Sequence, residues 1–224
     1  MSDETTVRGV LLDIDGTLMD SNEAHAQAWA AALAEGGYTT DIARVRHLIG
    51  MGADNLLPEA TGLSKDCPDG KRIAAGHDAI FEHEYLSKVQ PFPQAREMIA
   101  RMHTEGLRLV VATSSPRKQL DILLERIGIT DLLDDTASGD DAEHSKPDPD
   151  IVALGLGKTG LPAAAVLMLG DAPYDIAAAD KLGIRTIALR SGGFSDRDLA
   201  GALAIYDDPA DLLARYKESP LATD

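Results

Sequence analysis

Two aspartates near the start of the chain have the residue type and spacing that phosphate chemistry requires. Asp13 and Asp15 directly follow the apolar run 7–12 and precede Gly16 and Thr17. Alternate residues of an extended segment share a face, so both carboxylates can point into one site. They repel each other unless a cation or a proton lies between them, and such oxygen ligands suit Mg²⁺, which also binds substrate phosphate oxygens. The alternative is an ordinary strand-to-loop turn, in which aspartate and glycine are common.

The elements that would position this pair alternate between strand and helix. Short aliphatic runs that predict buried strands occur at 7–12, 107–112, 133–138, 166–169, 185–189 and 203–206. Helical patterns separate these runs. Strands that alternate with helices predict an α/β fold, with a parallel sheet flanked by helices. Ligands of such sheets bind beyond the carboxyl ends of the strands, where Asp13 and Asp15 lie.

One long segment departs from this alternation. Residues 20–91 have helical patterns interrupted only by glycine and proline breaks, and Pro91 and Pro93 form a stiff connector at the end of the segment. We therefore predict an inserted all-helical domain over 20–91. The remaining parts of the chain, 1–19 and 92–224, are predicted to form the core domain together.

Three local patterns give further predictions. Asp20 and Glu23 have the spacing of a capping box for the first helix of the insert. Residues 155–160 fit the glycine pattern of a dinucleotide-binding loop, but they follow a helical stretch rather than a strand, so we interpret them as a helix end and loop. Residues 217–224 are predicted to be a loose tail.

Four more polar residues stand at the ends of predicted strands or the starts of helices. They are Thr113, Lys146, Asp171 and Asp175. Each alone is common in caps, loops and turns. Together with the stretch 13–18 they resemble, in order and spacing, the four motifs of the haloacid dehalogenase-like (HAD) phosphatase superfamily. The helical insert after the first motif is similar to the cap of one subgroup, which includes phosphoglycolate phosphatases and β-phosphoglucomutases.

The resemblance implies a Rossmann-like sheet and a chemical role for each motif residue. Asp13 would be the nucleophile that attacks phosphorus and forms an aspartyl-phosphate. Asp15 would protonate the leaving alkoxide and then activate water. Thr113 would hydrogen-bond the transferring phosphoryl group, beside the backbone N–H groups of Asp15 and Ser114. Lys146 would hold the nucleophile and the phosphate by its charge.

The resemblance also implies a Mg²⁺ cofactor. Its ligands would be Asp13, Asp171 and the main-chain carbonyl of Asp15. Asp175 would be a further ligand or, in the version we prefer, a residue that orients the ligands from outside. Charge counting supports the metal, because four carboxylates and a phosphate dianion face one lysine. Two unit charges about 4 Å apart interact by roughly 4 kcal/mol at an effective dielectric constant of about 20, so several such repulsions would keep the substrate away.

Residues of the insert should select the substrate. His25 lies ten residues after Asp15, at a position that resembles the histidine of sugar-phosphate members of the family. The alternative for His25 is packing against Trp29, one helical turn later. Arg46 belongs to a basic run before the loop 49–52, which could face the active site, so Arg46 is a candidate substrate contact. A solvent-exposed arginine is the alternative.

The leading functional hypothesis is a Mg²⁺-dependent phosphatase for a small phosphomonoester such as a sugar phosphate or phosphoglycolate. The alternative is a mutase similar to β-phosphoglucomutase. His25 favours the mutase, whereas Thr17, where those mutases more often have valine, and Ala53, where they have an arginine, argue against it. A second alternative is a non-catalytic binding module on the same fold. Decayed enzymes usually lose the nucleophile, however, and Asp13 is present.

Composition limits the partners and the location. The 21 basic and 37 acidic residues give a net charge of −16, which opposes a nucleic-acid partner and leaves a small phosphorylated metabolite as the expected one. The single cysteine, Cys67, predicts a reducing compartment. Residues 1–4 lack the basic and apolar regions of a signal peptide, and no apolar run approaches the roughly 20 residues of a membrane helix. We expect a cytoplasmic protein without membrane contact, either a monomer or a weak homodimer.

Overall fold

The computed structural model describes residues 6–222. Within that range the chain forms eight strands: β1 (Gly9–Leu12), β2 (Met19–Asp20), β3 (Gln90–Pro91), β4 (Arg108–Ala112), β5 (Asp135–Ala137), β6 (Val166–Gly170), β7 (Arg185–Leu189) and β8 (Ala204–Tyr206). Six of them build one parallel sheet in the order β5-β4-β1-β6-β7-β8. The predicted parallel sheet and the six predicted strands are confirmed.

Nine α-helices accompany the strands within residues 6–222. They are α1 (Asn22–Glu35), α2 (Ile42–Leu48), α3 (Ala53–Thr61), α4 (Pro68–Ile80), α5 (Ala95–Thr104), α6 (Arg117–Ile127), α7 (Asp150–Thr159), α8 (Pro173–Asp180) and α9 (Pro209–Ala214). The α4 helix continues as a short π-helix over Phe81–Tyr85. The first four helices lie between β2 and β3, where the sequence predicts an all-helical insert.

Helices cover both faces of the sheet, which explains why its central strand is apolar at every position. Val10 and Leu12 point to the side of α5, α6 and α9, whereas Leu11 points to the side of α7 and α8. All three side chains are fully buried. Strands buried on both faces lack the polar alternation of strands with one exposed face, so β1 brings Asp13 to the sheet edge on a rigid support.

The four helices between β2 and β3 have an apolar cluster of their own. Its large buried members are Trp29, Leu33, Val45, Ile49, Leu56, Leu57 and Ile73. Other side chains of this segment, among them Ala28 and Phe81, pack instead on the apolar cluster that β1 forms with α5, α6 and α9. The short antiparallel ribbon of β2 and β3 pairs Met19 with Pro91 and Asp20 with Gln90. The two chain crossings between the helices and the sheet therefore lie side by side.

Two local predictions were wrong. Asp20 does not cap α1, because it belongs to β2; the residue at the cap position is Ser21, which makes no capping hydrogen bond. The predicted tail is packed against the core as far as it is described, since Leu221 is fully buried. Residues 223–224 of that tail, and residues 1–4 of the signal-peptide prediction, lie outside the described range.

The glycine-rich stretch 155–160 is confirmed as a helix end. The α7 helix runs to Thr159, and Gly160 then adopts a left-handed backbone conformation with φ of 65°. Gly155 lies against the sheet, where an added Cβ would be 3.1 Å from Leu11 and 3.2 Å from Ala112. Among the described residues, no helix is both long enough and apolar enough to cross a bilayer.

Candidate active site

Three neighbouring strands bring the predicted motif residues to one edge of the sheet. Asp13 follows β1, Thr113 follows β4 and Asp171 follows β6, and these strands lie side by side in the order β4-β1-β6. The backbone N–H of Asp13 donates to the carbonyl of Leu169 at 2.9 Å, which extends the ladder beyond β1. Residues more than 150 positions apart in the chain thus meet because parallel strands end at the same edge.

Lys146 lies beneath this edge and is 1% exposed. Its Nζ is 2.6 Å from Asp13 Oδ1 and 2.8 Å from Asp175 Oδ1. Burial opposes the ammonium charge, but the two carboxylates outweigh it and raise the pKa of Lys146 above its ordinary value. Lys146 is therefore a fixed positive charge beside Asp13, as its predicted role requires.

The three buried aspartates Asp13, Asp171 and Asp175 form a group that can hold a metal ion. One oxygen from each lies within 4.8 Å of the others. Burial raises the pKa of Asp13 to about 7, with Asp175 adding to the shift and Lys146 opposing it. Burial and the other two carboxylates raise the pKa of Asp171 well above its usual range. A buried acidic cluster of this kind, with one lysine, favours binding of a cation.

Neutral donors orient Asp171 within this group. Thr17 Oγ1 donates to Asp171 Oδ1 at 2.9 Å, and Asn22 Nδ2 donates to Asp171 Oδ2 at 3.0 Å. Asn22 Nδ2 also lies 3.3 Å from the carbonyl of Gly192. These donors leave the charge of the carboxylate uncompensated, which suits a metal ligand. Asn22 was not predicted as a site residue, although its position in the first turn of α1 places it near the motif.

Asp175 is held mainly by the protein itself. Its Oδ2 accepts the N–H groups of Asp171 at 3.2 Å and Ala172 at 3.0 Å at the start of α8, while Oδ1 faces Lys146. Its Oδ2 thus has two backbone donors, and its Oδ1 lies beside the ammonium group of Lys146. This geometry favours the version in which Asp175 orients its neighbours.

The carboxylate of Asp15 points away from the metal-binding group, into a separate set of polar contacts. Its Oδ1 accepts from Ser21 Oγ at 2.5 Å and lies 3.1 Å from His25 Nε2, and its Oδ2 accepts from Ser115 Oγ at 2.5 Å. Burial alone would raise the pKa of Asp15, but these three partners lower it below its ordinary value. The predicted metal contact of Asp15 is through its main-chain carbonyl, so these side-chain contacts do not compete with it.

His25 combines features of both alternatives considered from the sequence. It contacts Asp15, and its ring also packs within the helical segment, but on Phe81 at 3.8 Å between ring centroids rather than on Trp29. His25 Nδ1 lies 3.2 Å from His77 Nε2, and Trp29 stacks on His77. Burial lowers the pKa of His77. His77 was not predicted, because no sequence pattern links it to His25, 52 residues away.

The predicted substrate contact at Arg46 does not reach the site. Its guanidinium pairs with Glu23 on the surface of the helices, both side chains are about half exposed, and Arg46 does not line the cavity. The physical reason is a tertiary contact: Glu23, in the first turn of α1, offers its carboxylate to Arg46 of α2. This placement is the solvent-exposed alternative considered from the sequence.

A cavity of about 150 Å³ lies between the strand ends and the helices. Asp13, Asp15, Thr113 and Ser114 line its sheet side, whereas Trp29, Ile49 and Met51 make much of its helical side apolar. Ser114 Oγ is buried, and so is Gln119 Nε2; neither finds a hydrogen-bond partner among residues 6–222. Buried polar groups are normally paired, so these atoms indicate the place of a polar ligand.

Comparison with known proteins gives one family and several phosphatases. The model of the family described as haloacid dehalogenase-like hydrolase matches residues 10–189. Phosphoglycolate phosphatase from Rhodospirillum rubrum is 33% identical over 215 residues, which cover 92% of this chain and 89% of that protein. N-acetylmuramic acid 6-phosphate phosphatase from Pseudomonas aeruginosa is 29% identical over 213 residues, covering 92% and 93%. A hydrolase from Pseudomonas syringae superposes with a TM-score of 0.87 at 29% identity, covering 94% of this chain and 98% of that one.

Proposed function

Because the chain belongs to the haloacid dehalogenase-like hydrolases, we propose that it is a Mg²⁺-dependent phosphatase that cleaves a small phosphomonoester through an aspartyl-phosphate. The observation that carries the proposal is the separation of two aspartates at one sheet edge. Asp13 is buried against Lys146 and the other acids, whereas Asp15 is held apart by Ser21, His25 and Ser115. Two carboxylates in such different surroundings suit different tasks.

In the first step Asp13 attacks phosphorus. A new bond forms between its carboxylate oxygen and phosphorus, the bond from phosphorus to the ester oxygen breaks, and Asp15 gives its proton to the departing alkoxide. The negative charge of the entering phosphate raises the pKa of Asp15 and so favours the protonated form that this step needs. Thr113 and Ser114, which line the cavity, would donate to the phosphoryl oxygens.

In the second step Asp15 acts as a base. It removes a proton from a water molecule that attacks the aspartyl-phosphate, which restores Asp13 and releases inorganic phosphate. Asp13, Asp171 and the carbonyl of Asp15 would hold Mg²⁺, and Asp175 would orient the group. The ion would offset the negative charge of the acids and the phosphate. The buried carboxylates and the neutral donors to Asp171 support this assignment.

Magnesium should stabilise the protein more at pH 8 than at pH 6. In metal-free protein the pKa of Asp13 is raised to about 7 and that of Asp171 lies well above its usual range. Such groups add stability below their unfolded pKa and lose it as the pH rises through the folded value. Mg²⁺ binds the ionised forms. The gain in Tm when Mg²⁺ is added to EDTA-treated protein should therefore grow between pH 6 and pH 8. Equal gains at the two pH values, or an undiminished gain in Asp171→Asn, would contradict the metal assignment.

The domain division belongs to the same proposal. We propose that 20–91 is a cap over the active site and that 1–19 with 92–224 is the catalytic core. The separate apolar cluster of the helices and the ribbon at the two crossings support this division. So does the cavity, whose walls come from both parts. A cytoplasmic location and a monomeric or weakly dimeric state remain part of the proposal.

One lysine in the cavity wall favours a small substrate that has a negatively charged group in addition to its phosphate. Lys65 is an exposed lysine at the cavity wall, and among residues 6–222 it forms no ion pair. A carboxylate on the substrate would supply that partner, as phosphoglycolate does. The substrates in the names of the Rhodospirillum and Pseudomonas aeruginosa relatives, phosphoglycolate and the sugar phosphate N-acetylmuramic acid 6-phosphate, both have a free carboxylate.

Lys65→Met should therefore raise the KM for phosphoglycolate about tenfold, the change that corresponds to roughly 1.4 kcal/mol of lost attraction. The KM for an uncharged ester, such as glycerol phosphate, should change little, because the charge has no partner there. Steady-state phosphate release measures both values. Lys71→Met is the matched control, since Lys71 is an exposed lysine of the same helical segment that does not line the cavity. Equal changes for both substrates would show that Lys65 does not contact the carboxylate.

The proposed function is tested by phosphate release from a panel of metabolites with Mg²⁺. The panel includes phosphoglycolate and hexose, pentose and nucleoside phosphates, and a separate assay follows the isomerisation of β-glucose 1-phosphate with a bisphosphate. Release that requires Asp13 supports the phosphatase and ranks its substrates. Isomerisation without net release would instead identify a mutase. No reaction with any substrate would favour the binding module.

A further inference from the structure

The first turn of α3 contacts the loop that carries Lys146. Asn55 Nδ2 donates to the carbonyl of Ser145 at 2.9 Å and lies 3.3 Å from the carbonyl of Lys146. Asp54 Oδ2 accepts the backbone N–H of Ser145 at 2.9 Å. Two side chains of the helical segment thus engage three main-chain groups of two consecutive residues. We name this contact, formed by Gly52, Asp54 and Asn55, the α3 clasp.

Gly52 lets the clasp close. A Cβ added at Gly52 would lie 2.0 Å from Ser145 Oγ and 2.8 Å from Asp54 Oδ1. The backbone of Gly52 has φ of −75° and ψ of 169°, a region open to any residue. The absence of a side chain at this position therefore serves the approach of Ser145 and not an unusual backbone conformation.

The loop that receives the clasp is held at its ends by short-range contacts: the N–H of Asp148 donates to the carbonyl of Ser145 at 3.0 Å, and the N–H of His144 donates to Asp150 Oδ2 at 3.1 Å. Residues 142–149 form neither helix nor strand. On the other side the loop is held by exposed Lys181, whose Nζ donates to the carbonyl of Pro147 at 2.8 Å. The ammonium group of Lys146 must nevertheless reach Asp13 and Asp175 in a fully buried place. Its position depends on how the main chain of this loop is fixed.

We propose that Asp54 and Asn55 are positioning residues, through which the helical segment holds Lys146 against the nucleophile. The inference rests on the proposed function, because Lys146 acts there on Asp13. Through the clasp, docking of α3 and placement of the ammonium group become one event. With α3 undocked, the lysine loop is free to relax and Asp13 loses the charge that prepares it for attack.

The clasp predicts a particular pattern of rates. Lys146 acts on the nucleophile and not on the leaving group, so loss of the clasp should slow aryl and alkyl phosphates by the same factor. Removing a residue that orients an active-site ligand typically costs about 10- to 100-fold, and we expect kcat of Asn55→Ala and Asp54→Ala to fall within that range. Gly52→Ala should act in the same direction, although it keeps both polar side chains.

The matched control is Asp69→Ala. Asp69 is the second residue of α4, as Asp54 is of α3, so both substitutions remove an acidic residue from the first turn of a helix. Asp69 pairs with Arg72 on the surface and does not contact the lysine loop. Its kcat should stay within about twofold of the original, since surface pairs of this kind contribute little.

Two measurements on the full chain, kcat and backbone hydrogen exchange, test the proposal. The backbone N–H of Ser145 should exchange faster in Asp54→Ala, Asn55→Ala and Gly52→Ala. Its exchange rate should not change in Asp69→Ala, and all variants should have the same Tm. Normal kcat or unchanged exchange in the clasp variants would overturn the proposal. If the original protein released no phosphate, the proposed function would fail instead, while exchange at Ser145 would still report whether α3 holds the loop.

Discussion

Asp13→Asn should abolish turnover and leave the fold intact. The substitution keeps the shape of the side chain and an oxygen that can accept from Lys146, but an amide is a very poor nucleophile. Loss of the nucleophile in a covalent mechanism typically costs about 10⁴-fold or more. Phosphate release from the best substrate of the panel, followed at high enzyme concentration, measures the residual rate.

The folded state of this variant should be at least as stable as the original in metal-free buffer. Asp13 is buried among Asp171, Asp175 and Lys146, and burial with the repulsion from Asp175 raises its pKa. A neutral amide removes part of that repulsion, so thermal unfolding in EDTA separates a chemical loss from a folding defect. Retained phosphate release by a folded Asp13→Asn protein would exclude the aspartyl-phosphate route.

Asp15→Asn should slow alkyl phosphates far more than aryl phosphates. An alkoxide needs a proton as it leaves, whereas an aryl oxide of low pKa leaves without one. Loss of a positioned general acid costs about 10²- to 10⁴-fold, and we expect this range for an alkyl ester and a smaller loss for p-nitrophenyl phosphate. The measurement is kcat for a series of esters, plotted against the pKa of the leaving alcohol.

The contacts of Asp15 make this a clean comparison. An asparagine oxygen can still accept from Ser21 and face His25, and Ser115 can accept from the new amide group, so the packing need not change. The Asp13→Asn variant is the natural reference, because it should lose both kinds of ester equally. Equal losses for aryl and alkyl esters in Asp15→Asn would show that Asp15 does not act as the acid.

Most of the sheet and the motif residues could be predicted because they depend on local signals. Apolar runs mark buried parallel strands, and polar residues directly after such runs must gather at one edge. That reasoning brought Asp13, Thr113 and Asp171 together from widely separated positions, as the geometry shows. Lys146 could be placed only through the resemblance to the family, because it lies in an irregular loop.

Of the three partners of Asp15, only His25 was predicted, through the resemblance to the family; no period or spacing marks Ser21 and Ser115. Ser115 lies 100 residues from Asp15, and Ser21 looks like an ordinary residue at a helix start. The same holds for Asn22, which donates to Asp171. The error at Asp20 has the same origin. Pairing of that residue with Gln90 in the β2–β3 ribbon overrides the local capping pattern, and the partner is 70 positions distant.

The predicted tail failed for a related reason. Nothing in the polar end of the sequence marks Leu221 as buried, since the cluster that receives it is built from distant residues. Arg46 shows the opposite error, since it was predicted to reach the site and lies away from it. A basic side chain near a glycine loop suggested a substrate contact, but the nearby carboxylate of Glu23 holds it on the surface. Only tertiary structure decides such competition between partners.

The pairing of Met19 with Pro91 makes the helical segment modular. Its entry and exit lie on adjacent strands, so a segment of different length could be exchanged there without altering the order of the main sheet. The donor segment would have to supply more than a new cavity wall. Ser21, Asn22 and His25 serve the acids of the core from within it. A chimaera that carries a foreign helical segment should therefore remain active only when the first helical turns of the recipient protein are retained.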